Sequence, residues 1–180
     1  NPAIGKLTVR ELLSQTSGLR DEPGVAGSAD PTELERLALS LDADDLVAPA
    51  GLAFSYSNLG YALAGHLLAR LDRQDYAKAL RRRVTAPLGM PDATLEPADR
   101  AGGPALPHNA ALAPAGFAWL SSRDAEHLVR AHLAPTSRGL SRILREMGRP
   151  VVAIPTGALP EGRYGMGLFL TGSGQLARLE

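Results

Sequence analysis

Phe54-Ser55-Tyr56-Ser57-Asn58-Leu59-Gly60-Tyr61 lies between the Pro49-Ala50-Gly51 turn and an apolar run of helical period, and the rest of the chain is arranged about it. A phenol, a hydroxyl and a carboxamide within three residues, just ahead of a helix, offer a proton carrier and a two-way hydrogen-bonding group. A second reading of the same residues stands beside this one. Ser57 or Asn58 can simply cap the helix, and Tyr56 can be a half-buried aromatic with a satisfied hydroxyl. A triplet this short arises by chance about once in a chain of this size, so alone it decides neither reading.

After this turn, Leu59, Leu63, Leu67 and Leu71 form one stripe at helical spacing, and Gly60 and Gly65 permit close approach of another element. His66 lies beside the stripe as a core or rim histidine. A helix over about 75–84 is predicted with Asp75 as cap and Tyr76, Leu80 and Val84 facing inward. Arg81-Arg82-Arg83 fall at its negative end, where a solvated cationic face is favoured. Pro87-Leu88-Gly89-Met90 ends it and opens a long irregular region. Upstream, Thr8 and Glu11 have capping-box spacing for a helix over about 8–17 closed by Gly18. Arg20 to Ala29 is loop by composition, and Asp30-Pro31-Thr32-Glu33 starts a helix that buries Leu34, Leu37, Ala38 and Leu41. Downstream, Ser121 and Asp124 repeat the capping spacing before Ala125, Leu128, Val129, His132 and Leu133. A last helix over about 138–147 turns Leu140, Ile143, Leu144 and Met147 inward. Tyr164 to Leu170, the Gly172-Ser173-Gly174 turn and Gln175 to Glu180 then read as a hairpin.

The 180 residues suit one mainly α domain with a buried core. Nineteen Lys+Arg balance nineteen Asp+Glu, which removes the electrostatic argument for nucleic acid or an anionic membrane as the main partner. Lys6 and Lys78 are the only lysines, and cysteine is absent, so thiolate nucleophiles and disulfides are excluded. Of His66, His108, His127 and His132, none has metal-site spacing, so neither metal nor cofactor is implied. The uncharged run from Ala101 to Ser122 is long enough to span a membrane, but Pro104, Pro107 and Pro114 deny it a continuous helix, and no transmembrane segment is expected.

No nucleophile motif is complete. There is no Gly-x-Ser-x-Gly, and no serine is followed three residues on by lysine; Ser17 has Arg20 there. Arginine stays protonated and cannot take a serine's proton. Ser122, Asp124 and His127 hold triad residue types too close along one helix to form a relay, and capping explains the first two. Asp44-Asp45 reads as solvated loop.

Four segments in order, Leu7 to Leu19, Phe54 to Tyr61, Ala86-Pro-Leu-Gly-Met90, and Pro114-Ala-Gly-Phe with Ser121 to Asp124, resemble the serine β-lactamase and penicillin-binding protein family. The branch they resemble is that of class C β-lactamases, esterases and D-alanyl-D-alanine carboxypeptidases. That family joins Ser-x-x-Lys, Tyr-x-Asn and Lys/His-x-Gly in one cleft. Only the second occurs here, as Tyr56 and Asn58, which the resemblance casts as the proton-shuttling tyrosine and the asparagine contacting lysine and substrate amide. The resemblance therefore implies the helix-rich lobe of an α+β β-lactamase/transpeptidase-like fold, with a C-terminal hairpin of the central sheet. It places Ser-x-x-Lys before residue 1 and Lys/His-x-Gly after residue 180, with the remainder of the same catalytic domain as partner. The implied chemistry is serine acyl transfer on a small-molecule or peptide substrate: a β-lactam, a D-amino-acid peptide or a small ester. A periplasmic or extracellular setting is implied too. Arg20, Asp21 and Glu22, with Pro23, fall on the loop that approaches the site's rim in this family and are candidates for substrate contact. A solvated loop is the equal alternative. Residues 1–180 alone are expected to be inert; a non-catalytic binding module or helical interaction domain is the competing function. Phe117 departs from the family, standing where relatives usually carry a second glycine.

Overall fold

A computed structural model of the protein describes residues 1–22, 27–95, 108–155, 157 and 162–171. Its helices are α1 (Val9–Leu13), α2 (Glu33–Ser40), α3 (Asn58–Asp72), α4 (Tyr76–Leu80), α5 (Ser122–Leu133) and α6 (Arg138–Met147). Strands β1 (Val152–Ile154), β2 (Gly162–Tyr164) and β3 (Phe169–Leu170) form an antiparallel sheet in that order. The molecule is mainly helical, as the sequence implies.

The centre of the packing is α3, which contacts α1, α2, α4 and the 3-10 turn Ala110–Leu112. Its Leu59 and Ala62 join Ile4, Leu12, Leu19, Leu34, Leu41 and Leu112 in one apolar cluster. Each fully buried leucine contributes about 1.5–3 kcal/mol by leaving water. The leucine stripe leaves the core after two turns, however: Leu67 is 37% exposed and Leu71 81%. Close approach does occur at Gly65, where any Cβ would overlap the Pro114 ring. No helix among the described residues is long and apolar enough to cross a membrane.

Caps form as expected at Thr8 with Glu11, at Ser121 with Asp124, and at Asp75. Other boundaries differ. The predicted helix over 8–17 stops at Leu13, and Gln15 rather than Gly18 takes the left-handed position that closes it, at φ 58°. Gly18 belongs to a further turn pressed onto the Ala48 carbonyl. α2 begins only at Glu33, because Asp30 spends its carboxylate on the Thr32 N–H and hydroxyl and builds a turn ahead of the helix. α4 gives way at Arg81 to a wider π-type turn through Thr85. In α5 the buried residues are Asp124 and Ala131, whereas Val129 and Leu133 are exposed. α6 buries none of its residues, and Ile143 is 55% exposed. Tyr164 to Leu170 is not one strand: the Gly165 N–H bonds to the Leu168 carbonyl, turning the chain between β2 and β3. β1, only three residues long, has no counterpart in the sequence reading. The Gly172 turn and the Gln175 to Glu180 segment lie outside the described residues.

Candidate active site

Tyr56 stands at the N-terminal end of α3, 40% exposed. Ser57 is the helix cap: its hydroxyl oxygen accepts from the Gly60 N–H at 3.1 Å while its proton goes to the Arg20 carbonyl at 2.8 Å. Capping therefore falls to Ser57, leaving Tyr56 and Asn58 on either side of it. The Tyr56 hydroxyl donates to Asn58 Oδ1 over a long 3.4 Å. Asn58 Nδ2 donates to the Glu22 carbonyl at 2.9 Å, an orientation that turns Oδ1 towards the phenol.

Arg20, Asp21 and Glu22 are brought onto this turn. Asp21 Oδ1 accepts from the Asn58 N–H and the Glu22 N–H, both at 2.9 Å, placing a carboxylate at the positive end of α3. Arg20 pairs with Asp45 at 2.7 Å and Glu22 at 2.6 Å, so its charge is engaged within the loop. These contacts buttress Tyr56-Ser57-Asn58. Pro23 lies outside the described residues.

The layer beneath was not legible in the sequence. Ser14, Gln15, Thr16 and Ser17 are all nearly or fully buried. The Gln15 carbonyl accepts from the Ser55 N–H at 2.8 Å, and its side-chain Oε1 accepts from the Ser57 N–H, also at 2.8 Å. Thr16 accepts from the Gly51 N–H at 2.7 Å. Tyr164, on β2, lies edge-on to Phe54 and Phe169 with ring centres 5.6 Å and 4.8 Å away, and its hydroxyl is 3.1 Å from that of Tyr61.

Electrostatics here favour the neutral phenol. Partial burial raises the Tyr56 pKa above its ordinary value of 10.0, with Tyr164 and then Asp21 adding to the shift. Such a group can donate and carry a proton, but it works as a base near neutrality only beside a cation. Of the two lysines, Lys78 is tied to Asp75 at 2.6 Å, and Lys6 lines a separate hollow with Leu7, Glu11 and Val47 to Ala50. Ser17 is buried and takes the Leu19 N–H, while Asp124 closes the Ser121 cap and His127 bonds the Leu88 carbonyl. None of these forms a nucleophile with a base.

A Beta-lactamase family model matches residues 1–178. The D-alanyl-D-alanine-carboxypeptidase/endopeptidase AmpH of Escherichia coli K12 is 33% identical over 96 residues, 51% of this chain and 25% of that protein. A crystal structure of SurE with D-Leu superposes with a TM-score of 0.73 at 30% identity, covering 96% of this chain and 43% of SurE. A Beta-lactamase/D-alanine carboxypeptidase from Yersinia pestis, complexed with citrate, gives a TM-score of 0.54 at 28% identity over 74% of this chain and 42% of that one. The chain thus spans less than half the length of each.

Proposed function

The chain belongs to the beta-lactamase family, and from that premise we propose that it forms the tyrosine-bearing wall of a serine acyl-transfer site. The observation that carries the reading is the Tyr56-Ser57-Asn58 turn, with its phenol reaching solvent, its carboxamide oxygen turned towards that phenol, and its backbone gripped from below. Tyr56 relays the proton between a serine nucleophile and the leaving group; Asn58 orients the phenol and offers Oδ1 to an incoming ammonium or amide N–H. The serine, the lysine that makes the phenolate accessible and the oxyanion donors come from chain outside residues 1–180. The electrostatics support this division, since the groups around Tyr56 raise its pKa.

The substrate is an amide or ester of a D-amino acid. That choice is supported by relatives named as acting on D-alanyl-D-alanine or D-alanine and by one solved with D-Leu. A penicillin or fluorophosphonate probe tests the assignment on the full-length protein, with the labelled peptide mapped by mass spectrometry. The expected label lies on a serine outside residues 1–180. Stoichiometric label on Ser17, Ser57, Ser122 or any other serine within them overturns the assignment.

A further inference from the structure

We propose that Gln15 is the positioning residue that fixes the Tyr56 phenol for proton transfer. This rests on the functional reading above and adds to it the part that aims the tyrosine.

The geometry begins at the end of α1. The Thr16 N–H bonds to the Glu11 carbonyl at 3.0 Å and the Gln15 N–H to the Leu12 carbonyl at 3.4 Å, the paired 6→1 and 5→2 contacts of a Schellman close. Such a close holds one residue in the left-handed region, where glycine is the default. The same pattern recurs twice. Arg73 and Gln74 bond back to Arg70 and Ala69 at the end of α3, and Gly89 and Met90 bond back to Ala86 and Thr85. The third uses glycine and the second an exposed arginine, but the first uses a glutamine only 2% exposed, at φ 58°. A buried side chain in a strained backbone state marks a position where the side chain itself is used.

Its use is visible in its contacts. The left-handed turn points both acceptors of Gln15 the same way. The main-chain oxygen takes the N–H of Ser55 and Oε1 takes the N–H of Ser57, the two residues flanking Tyr56. The residues before and after Tyr56 are therefore both held by one residue, Ser55 through the Phe54–Ser55 peptide and Ser57 through the Tyr56–Ser57 peptide. Ser57 is fully buried and Oε1 is the protein acceptor for its N–H, so removing Oε1 leaves that N–H without its protein partner. The backbone of 55–57 must then shift to find a partner, and the phenol shifts with it. A misplacement of about 1 Å at a reacting group can cost around 100-fold in rate.

Gln15→Gly is the informative variant. It relieves the left-handed backbone and keeps the carbonyl that holds Ser55, removing the acceptor for Ser57 together with the buried side-chain volume that carries it. Gln15→Glu keeps an acceptor of the same reach. In the full-length protein, acylation by a D-alanyl ester or a penicillin is measured for wild type, both variants, Tyr56→Phe and the Gln15→Gly/Tyr56→Phe double variant. Amide exchange at Ser57 provides a readout independent of turnover. Gln15→Gly is expected to lower kcat about 10- to 100-fold with little change in KM, to speed exchange at Ser57, and to cost nothing further in the Tyr56→Phe background. Gln15→Glu is expected to restore both rate and protection. A wild-type protein that acylates nothing, or a Tyr56→Phe variant at full rate, overturns the functional reading. An inactive Tyr56→Phe beside a Gln15→Gly variant at wild-type rate, or two losses that multiply, overturns the role of Gln15.

Discussion

The hydroxyl of Tyr56 is the one group in the described surface that meets the demands of a proton relay: it is reachable, its neighbours Ser55 and Ser57 are both held by Gln15, and it is paired to a carboxamide oxygen. Tyr56→Phe keeps the ring and deletes only that hydroxyl. In the full-length protein, acylation is expected to fall by about 10²–10⁴-fold, the range for a lost acid–base group, while the melting temperature stays put. Steady-state turnover beside a thermal melt checks both halves. Phe117 joins Gln15 and Arg73 in the left-handed region, at φ 61°, where a glycine would sit without cost. Its ring packs against the core cluster, which explains why phenylalanine is accommodated. Full burial of such a ring is worth about 1.5–3 kcal/mol, of which half-buried Phe117 gains a part, while the left-handed penalty is about 1–2 kcal/mol for any residue with a Cβ. Gly at 117 is therefore expected to be more stable than Ala, against the ordinary helix and loop ranking, because Ala keeps the penalty and loses the ring. Denaturant melts give the order, and Ala above Gly refutes the balance. The pairing of Tyr56 with Asn58 was legible because they share one short polar turn. Gln15 was not, because its importance lies in a backbone state that glutamine does not advertise and in contacts 40 and 42 residues along the chain.

Element ends follow the same division. N-termini were readable from Thr8, Asp75 and Ser121, since a cap is a local bond between a side chain and an N–H two or three residues on. C-termini were not, where Gln15 and Arg73 replace glycine. Strand β1 escaped notice because three residues carry too little alternation. The end of α3 yields two tests. Arg73 closes it at φ 52°, so Arg73→Gly removes left-handed strain and is expected to stabilise by about 0.5–1 kcal/mol, raising the melting temperature by roughly 1–4 °C. No rise would mean that the arginine side chain makes good the strain. One residue earlier, Asp72 is covered by the guanidinium groups of Arg83 and Arg82 rather than sunk in the core. Its hydrogen bonds to Arg83, then Arg82, hold its pKa at about 2 against an ordinary 3.8. A depressed carboxylate stabilises the fold above its unfolded pKa and loses that contribution as protons bind in the folded state. The stability gap between wild type and Asp72→Asn should thus be full near pH 5 and shrink between about pH 4 and pH 2. A gap independent of pH over that window would show that the arginines do not couple Asp72 to folding. The three-arginine run is then in large part a clasp between α3 and the π-type turn, and less a free cationic face than its sequence implies.

At the scale of the whole molecule, the helices and the sheet meet at a joint beside the Tyr56-Ser57-Asn58 turn. The Leu13 carbonyl accepts from the Tyr61 hydroxyl at 2.8 Å and from the Gly167 N–H at 3.1 Å. Tyr164 of β2 lies within hydrogen-bond reach of Tyr61, and the Met166 N–H bonds to the Met147 carbonyl at the end of α6. An ion pair also crosses between α1 and α6, Arg10 to Glu146 at 2.8 Å, but side chains 57% and 35% exposed make such a pair worth little. The phenol contacts carry the joint instead. Burial, with Tyr164 beside it, raises the Tyr61 pKa strongly, so the hydroxyl stays a donor at any working pH. Tyr61→Phe deletes it and leaves Leu13 with one donor and Tyr164 without its hydroxyl partner. The expected cost is about 1–2 kcal/mol, and it should be local. Amide exchange should rise over residues 162–170, where the sheet hangs on this contact, and stay unchanged in α2, whose packing on α3 is apolar. Arg10→Ala should move neither. Exchange rising evenly through the helices would instead make Tyr61 an ordinary member of the core, and a larger loss from Arg10→Ala than from Tyr61→Phe would assign the joint to the ion pair.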